Sequence, residues 1–198
     1  MRQILLATNN KHKVTEIKDI IGKSDYELIT LSDLNLEIEV IEDKDTLEGN
    51  AIKKAEEVFL RSKIPVLADD TGLFVDAING EPGVFSSRYA GVNATYDDNC
   101  KKLLDAMKDV PEENRTAYFK TVVCYYKSEN SPMIFEGICR GRISMIYRGY
   151  KGFGYDPLFI PEGFDKTFAE MSEKEKNFIS HRSKAFMNLR DFLFTNLD

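Results

Sequence analysis

Apolar positions along the chain follow two spacings, and the switches between them mark the elements. Residues 3–7 carry the run Ile4-Leu5-Leu6-Ala7 and stop at the polar triplet Thr8-Asn9-Asn10, which predicts a short buried strand and a turn. From residue 11 to 21 the apolar spacing widens to three and four, through Val14, Ile17, Ile20 and Ile21, and Gly22 follows as a stop. That spacing predicts an amphipathic helix. A second strand is expected over 26–31, an acidic irregular stretch over 33–45, and a helix over 46–62 with Leu47, Ala51, Ala55, Val58 and Phe59 on one face. Residues 65–68 read as a short strand that runs into Asp69-Asp70-Thr71-Gly72, and 73–75 as another. The Gly-, Pro- and Ser-rich stretch 79–91 predicts a loop, and 97–107 a helix with Cys100, Leu103, Leu104 and Met107 inward. The period-two set Ala117, Phe119, Thr121, Val123 and Tyr125 predicts a strand over 115–126. One or two strands bent near Gly137 and Gly141 are expected over 133–148, and a glycine loop over 150–155. A helix over 180–196 closes the chain, with Ser180 as its cap and Ala185, Leu189, Phe192 and Leu193 inward. The order β-α-β-α-β, then antiparallel-looking strands and a helix, predicts the α/β class: a mixed central β-sheet flanked by helices, in one domain over 1–198.

Composition narrows the class. The chain has 198 residues, 42% of them hydrophobic and 30% charged, with Gly and Pro at only 12 and 6 positions. A collagenous, low-complexity or disordered chain is excluded, and the size supports a core without staples. Apolar runs stay far short of the ~20 residues of a membrane helix, and the N-terminal segment lacks the apolar centre of a secretion signal. A net charge of −6 with mixed signs argues against a bulk nucleic-acid or membrane binder and leaves room for a local basic pocket. The 3 cysteines, Cys100, Cys124 and Cys139, are odd in number and lack CxxC spacing, which fits a reducing cytoplasm. With 2 histidines, any divalent metal is expected to be hard and held by carboxylates.

The candidate chemistry sits in the loops between these elements. Thr8, Asn9, Asn10, Lys11, His12 and Lys13 span a strand-to-helix junction, where helix N-terminal amides can meet an anion. These residues read either as a phosphate cradle or as a capped helix with a basic turn. Asp69 and Asp70 end an apolar strand; such a pair is costly near a core unless a cation or a proton neutralises one, and it otherwise reads as an Asx turn. Among the acidic residues of 37–48, one could complete a metal site with Asp70. Ser86-Ser87-Arg88-Tyr89 lies in the Gly/Pro loop and reads as a phosphate-holding loop or as plain surface. Gly152-Phe153-Gly154-Tyr155-Asp156-Pro157 sets aromatics between glycines, suited to stacking on a base or to a tight turn. Lys176, His181 and Arg182 with Lys174 and Lys184 form a basic cluster near a helix start, where the dipole disfavours cations; it reads either as facing an anionic or acceptor-rich partner or as an ordinary exposed charged face.

In one order, these blocks resemble the Ham1-type inosine/xanthosine triphosphate pyrophosphatase family. Thr8, Asn10 and Lys13 match T-x-N-x-x-K; Ala68 to Leu73 match A-D-D-[ST]-G-L; Gly152 to Pro157 match G-F-G-Y-D-P; and Ser180 to Arg182 match S-H-R. Pro82 to Tyr89 match a fifth block in part, and the resemblance covers nearly the whole chain. Asn9, Gly49 and Tyr150-Lys151 depart from the usual pattern. The resemblance implies an elongated two-lobed fold with a nucleotide cleft, a homodimer, and Mg²⁺-assisted water attack at the α-phosphate. Non-standard purine triphosphates (ITP, dITP, XTP, dXTP) would yield the monophosphate and pyrophosphate. It implies that Thr8 to Lys13 and Lys54 bind the triphosphate, that Glu42 and Asp70 hold metal, and that Asp70 is the base with Asp69 beside it. Thr71 and Arg88 would touch substrate, Phe153 would stack on the base, and Gly154, Tyr155 and Asp156 would line its pocket. Lys176, His181 and Arg182 would contact base and phosphates. A Maf-like pyrophosphatase is opposed by the S-H-R block, and a non-catalytic nucleotide sensor by the Asp69-Asp70 pair.

Overall fold

The computed structural model describes residues 2–22 and 26–195; position 196 of the expected closing helix lies outside them. The described elements run β1 (Arg2–Leu6), α1 (Lys11–Ile21), β2 (Tyr26–Thr30), α2 (Leu47–Ser62), β3 (Val66–Val75), β4 (Pro82–Gly83) and α3 (Tyr96–Ala106). Then follow β5 (Thr116–Tyr126), β6 (Pro132–Ile143), β7 (Phe159–Pro161), α4 (Glu173–Ile179) and α5 (His181–Thr195). The strands form one mixed sheet in the order β2-β1-β3-β5-β6-β7, with β4 on β3. The predicted class, a mixed sheet flanked by helices, is what the chain adopts.

The chain divides into two compact units, Met1–Asp70 with Thr121–Gly137 and Arg182–Asp198, and Thr71–Lys120 with Ile138–His181. In unit 1, β1 pairs in parallel with β2, from Arg2 opposite Tyr26 to Leu6 opposite Thr30, and with the start of β3 at Leu5 opposite Val66. Ile4, Leu6 and Leu67 of these strands pack with Ile17 and Ile20 of α1 and with Ala185, Phe186 and Leu189 of α5. Each such side chain, once fully buried, contributes about 1.5–3 kcal/mol. Helix α2 buries Leu47, Ala51, Ala55, Val58 and Phe59, as its spacing predicts, and on the same helix it also buries Asn50 and Lys54. In unit 2, β4 pairs antiparallel with β3 at Leu73 opposite Gly83, and β7 with β6 at Ile143 opposite Phe159. Its core joins Leu73 and Val75 to Cys100 and Leu103 of α3, to Met107 just after that helix, and to Phe119, Phe159 and Phe168. No described helix is long and apolar enough to cross a membrane.

Several expectations need correction. The two short strands around Asp69-Asp70-Thr71-Gly72 are one ten-residue strand, β3, so the aspartates lie within a ladder and not on an Asx turn. Strand β5 is buried on both faces in its second half, where Val122, Cys124 and Tyr126 are as covered as Val123 and Tyr125. Of the one or two strands expected over 133–148 there is one, β6, with Gly137 and Gly141 inside it, and it ends at Ile143, not at 148. Ser180 keeps its place directly before the closing helix α5, in extended backbone, but it also ends α4, its N–H bonded to the Lys176 carbonyl. A helix that the apolar spacing did not announce therefore precedes the last one.

Candidate active site

In unit 1 the loop after β1 caps α1. Thr8 Oγ1 accepts the Asn10 N–H at 3.2 Å, and Asn10 Oδ1 accepts the His12 and Lys13 N–H groups at 3.0 and 3.3 Å. Asn10 is thus the N-cap, satisfying two amides that the first helical turn would otherwise leave open. Asn9 Nδ2 donates to the Ile38 carbonyl at 3.4 Å. Lys11 and His12 face solvent, whereas Lys13 turns inward, with its Nζ 2.8 Å from Asp69 Oδ2.

Asp69 and Asp70 are adjacent on β3, so their side chains leave opposite faces of the strand. That alternation gives them different company. Asp69 meets cations of α1 and α5: Lys13, and Arg182 Nε at 3.7 Å. Arg182 also pairs with Glu16. Asp70 meets α2, where Asn50 Nδ2 donates to its Oδ2 at 3.1 Å and Lys54 Nζ lies 3.8 Å from its Oδ1. Burial alone would raise the Asp69 carboxyl, but Lys13, Arg182 and Lys54 reverse it and hold the group well below the usual carboxylate range. Burial raises Asp70 as well; Lys54 opposes, the Glu42 charge adds to burial, and the net shift is upward. The pair is therefore split into an ion-paired, strongly acidic group and a more basic one.

Lys54 is the hinge of this arrangement. Its Nζ donates to Glu42 Oε1 at 2.7 Å and to the Asp69 carbonyl at 2.6 Å. Burial would lower its ammonium, but Asp70, Glu42 and Asp69 together raise it. Burial lowers Lys13, against the pull of Asp69. The acidic segment is clasped along α2: Lys53 Nζ donates to the Ile41 carbonyl at 2.8 Å and pairs with Asp43 at 2.8 Å. Among the described residues no group of three or more His, Cys, Asp or Glu side chains forms a ready metal cage. Glu42 and Asp70 are instead bridged by one ammonium, an oxygen-only pair near enough for Glu42 to raise Asp70. Their chemistry fits a hard divalent cation.

In unit 2 the glycine loop closes on a buried carboxylate. Asp156 Oδ2 accepts the Phe153 N–H at 2.9 Å and the Lys176 ammonium at 2.6 Å. Gly152 has φ +76°, and a Cβ there would collide with that same oxygen, so the turn requires glycine on both counts. Lys176 Nζ lies 4.9 Å over the Phe153 ring, and Tyr96 of α3 packs against Phe153 at 5.9 Å. Cys100 Sγ reaches the Gly154 carbonyl at 3.3 Å. Phe153 and Gly154 are half-buried, but Tyr155 points into the core and donates its hydroxyl to the Ser86 carbonyl at 2.9 Å. His181 is buried and stacks on Phe119 at 4.5 Å. Thr71 is half-buried on β3, directly after Asp70. Arg88 is half-buried, with its guanidinium over Phe85 at 5.2 Å.

The sequence profile of the Ham1 family matches residues 4–192. The chain belongs to the Ham1 family. It is 45% identical over 198 residues to a dITP/XTP pyrophosphatase of a Thermoanaerobacter species, covering 99% of this chain and 98% of that protein. It is 50% identical to the dITP/XTP pyrophosphatase of Elusimicrobium minutum over 93% of this chain and 95% of that one. A solved Ham1 protein from Coxiella burnetii superposes with a TM-score of 0.90 at 37% identity, over 98% of this chain and 100% of that one.

For this Ham1-family chain, reasoning from sequence named the two aspartates, Lys54 and Glu42, which the fold brings together, but missed their supports. Glu16 sits three residues beyond Lys13, on the same side of α1, and so could have been placed by helical spacing. Asn99, buried on α3, accepts the Ala90 N–H at 2.7 Å and donates to the Ser87 carbonyl at 3.1 Å, holding the loop that carries Arg88. No local signal marks that contact.

Proposed function

We propose that this chain hydrolyses non-standard purine nucleoside triphosphates of the dITP/XTP type to the nucleoside monophosphate and pyrophosphate. The observation that carries this reading is the split pair on β3: Asp69 locked as an anion by Lys13 and Arg182, and Asp70 raised in basicity beside Glu42 and Lys54. Names of the relatives point to the same reaction. A hard divalent cation, Mg²⁺ first, would be held by Glu42 and Asp70. When bound, it supplies charge neutralisation on the triphosphate and lowers the pKa of water.

The residues then divide the work. Thr8, Asn10, Lys13 and Lys54 bind and orient the triphosphate, since phosphoryl chemistry needs positioning and charge neutralisation more than a nucleophilic side chain. Asp70 takes a proton from the attacking water. The new bond forms between water oxygen and the α-phosphorus, the bond from that phosphorus to the bridging oxygen breaks, and the electron pair leaves with pyrophosphate. In unit 2, Phe153 offers a ring to the base and Lys176 a donor to a 6-keto oxygen. Adenine presents a 6-amino donor there instead, which leaves donors facing each other. Cys100, Cys124 and Cys139 are buried as thiols and form no disulfide, which supports a reducing cytoplasm, and the resemblance to the family supports a homodimer.

Turnover of dITP in ¹⁸O-labelled water tests the reading. Label should enter the nucleoside monophosphate, with pyrophosphate released in one step. Label in orthophosphate, or a diphosphate intermediate, would show another reaction.

A further inference from the structure

Asn50 is fully buried in unit 1, and its side chain is used at both ends. Its Oδ1 accepts the Lys44 N–H at 3.0 Å and its Nδ2 donates to Asp70 Oδ2 at 3.1 Å. The two bonds fix each other. A backbone N–H only donates, so the carboxamide oxygen must face Lys44, and the NH₂ is thereby aimed at Asp70. Asn50 stands on a rigid element, since its own N–H makes the first bond of α2, to the Thr46 carbonyl at 3.1 Å.

We propose that Asn50 is a positioning residue that orients the Asp70 carboxylate and ties it to the segment bearing Glu42, so that both carboxylates address one divalent cation. The inference rests on the metal-binding role given above to Glu42 and Asp70. Holding Asp70 Oδ2 leaves Oδ1 on the side of Lys54, which itself holds Glu42 at 2.7 Å. The segment is kept close by the same stretch of helix. Asn50, Lys53 and Lys54 are spaced i, i+3 and i+4, one face of α2, and they grip Lys44 N, the Ile41 carbonyl and Glu42 in turn. Gly49 permits the approach, because a Cβ there would lie 2.9 Å from the Lys44 Cβ. Of the three gripping side chains, Asn50 alone adds no charge. It can therefore orient a carboxylate without competing with a cation for it. Aspartate at position 50 would set carboxylate against carboxylate, and leucine would remove both bonds.

Such outer contacts of metal-binding carboxylates typically carry 10- to 100-fold in metal affinity. The test compares the unsubstituted protein with Asn50→Leu. Mn²⁺ binding without nucleotide is followed by electron paramagnetic resonance, and half-saturating Mg²⁺ and the KM for dITP at saturating Mg²⁺ are measured in turnover. Mn²⁺ affinity should fall and half-saturating Mg²⁺ rise together by about 10-fold or more, while the KM for dITP at saturating Mg²⁺ stays near that of the unsubstituted protein. Should Asn50→Leu fail to fold, Asn50→Ala, which leaves room for water in place of both lost bonds, carries the same measurements. A folded variant with unchanged Mn²⁺ affinity and Mg²⁺ dependence, only a lowered Tm, would overturn the role of Asn50 and leave the metal site standing. Absence of Mn²⁺ binding by the unsubstituted protein would overturn the metal reading itself, and this inference with it.

Discussion

Neutralising either of two neighbouring aspartates should have opposite consequences. Asp69 is an anion between Lys13 at 2.8 Å and Arg182 at 3.7 Å, with side-chain exposures of 1%, 16% and 2% respectively. Asp69→Asn leaves two inward cations without that charge. Breaking a buried pair in this way costs about 3–5 kcal/mol, and the lower end applies because Arg182 keeps Glu16. For a chain of this size, that loss lowers Tm by roughly 6–12 °C. Asp70 is the reverse case. Its folded pKa is raised, first by burial, so its ionised form costs stability at neutral pH. Asn at that position can still accept from Asn50, and Lys54 keeps Glu42 and the Asp69 carbonyl. Asp70→Asn should therefore lie within about 1 kcal/mol of the unsubstituted protein, on the stabilising side, while dITP turnover falls at least roughly 100-fold with the base removed. Urea unfolding in metal-free buffer, from neutral to acid pH, reads both. Asp69 has a folded pKa below its unfolded one, so its contribution is complete above the unfolded pKa and disappears as pH falls through the folded value; the deficit of Asp69→Asn narrows there. The advantage of Asp70→Asn fades as pH falls through the raised folded pKa towards the unfolded one, because the native carboxyl is then protonated too. Equal destabilisation by both substitutions, or none by Asp69→Asn, would refute the division of labour.

Excess EDTA should abolish pyrophosphate release and Mg²⁺ restore it, since Glu42 and Asp70 offer only oxygen; full turnover in EDTA would remove metal from the reading. Phe153→Ala should lower kcat/KM for ITP and ATP alike, by about 1–3 kcal/mol of lost stacking. Lys176→Met should instead erode the ITP preference, by roughly 10- to 100-fold, and an unchanged ITP:ATP ratio would show that Lys176 does not read the base. Arg115 is buried and donates to the carbonyls of Met107, Val110, Ile143 and Ser144 at 2.8–3.2 Å. Arg115→Lys cannot reproduce that fork and should cost about 3 kcal/mol by urea denaturation, with kcat per folded molecule unaltered.

The sequence by itself determined the elements whose apolar spacing agrees with their final burial. Helices α1, α2 and α3 and the first half of the long strand β5 were legible because packing reinforces a pattern already present. Site chemistry was legible where residue type is costly without a purpose, as with Asp69-Asp70 and the Gly152 to Asp156 loop. The ten-residue β3 was not, because Asp and Gly are poor strand formers. Its pairing with β1, β4 and β5 overrides that preference. Helix α4 spans seven residues, too few for a period to show, although Ser172 and Glu175 carry the S-x-x-E spacing of a capping box. Tertiary structure alone decided what separates Asp69 from Asp70. Adjacent in the chain, they carry the same side chain and differ only in which face of β3 they leave. One face brings Lys13 and Arg182, from positions far apart in sequence; the other brings Asn50, Lys54 and, through Lys54, Glu42. A carboxylate's proton affinity depends on the charges and burial within a few ångströms, and that neighbourhood exists only once the chain has folded.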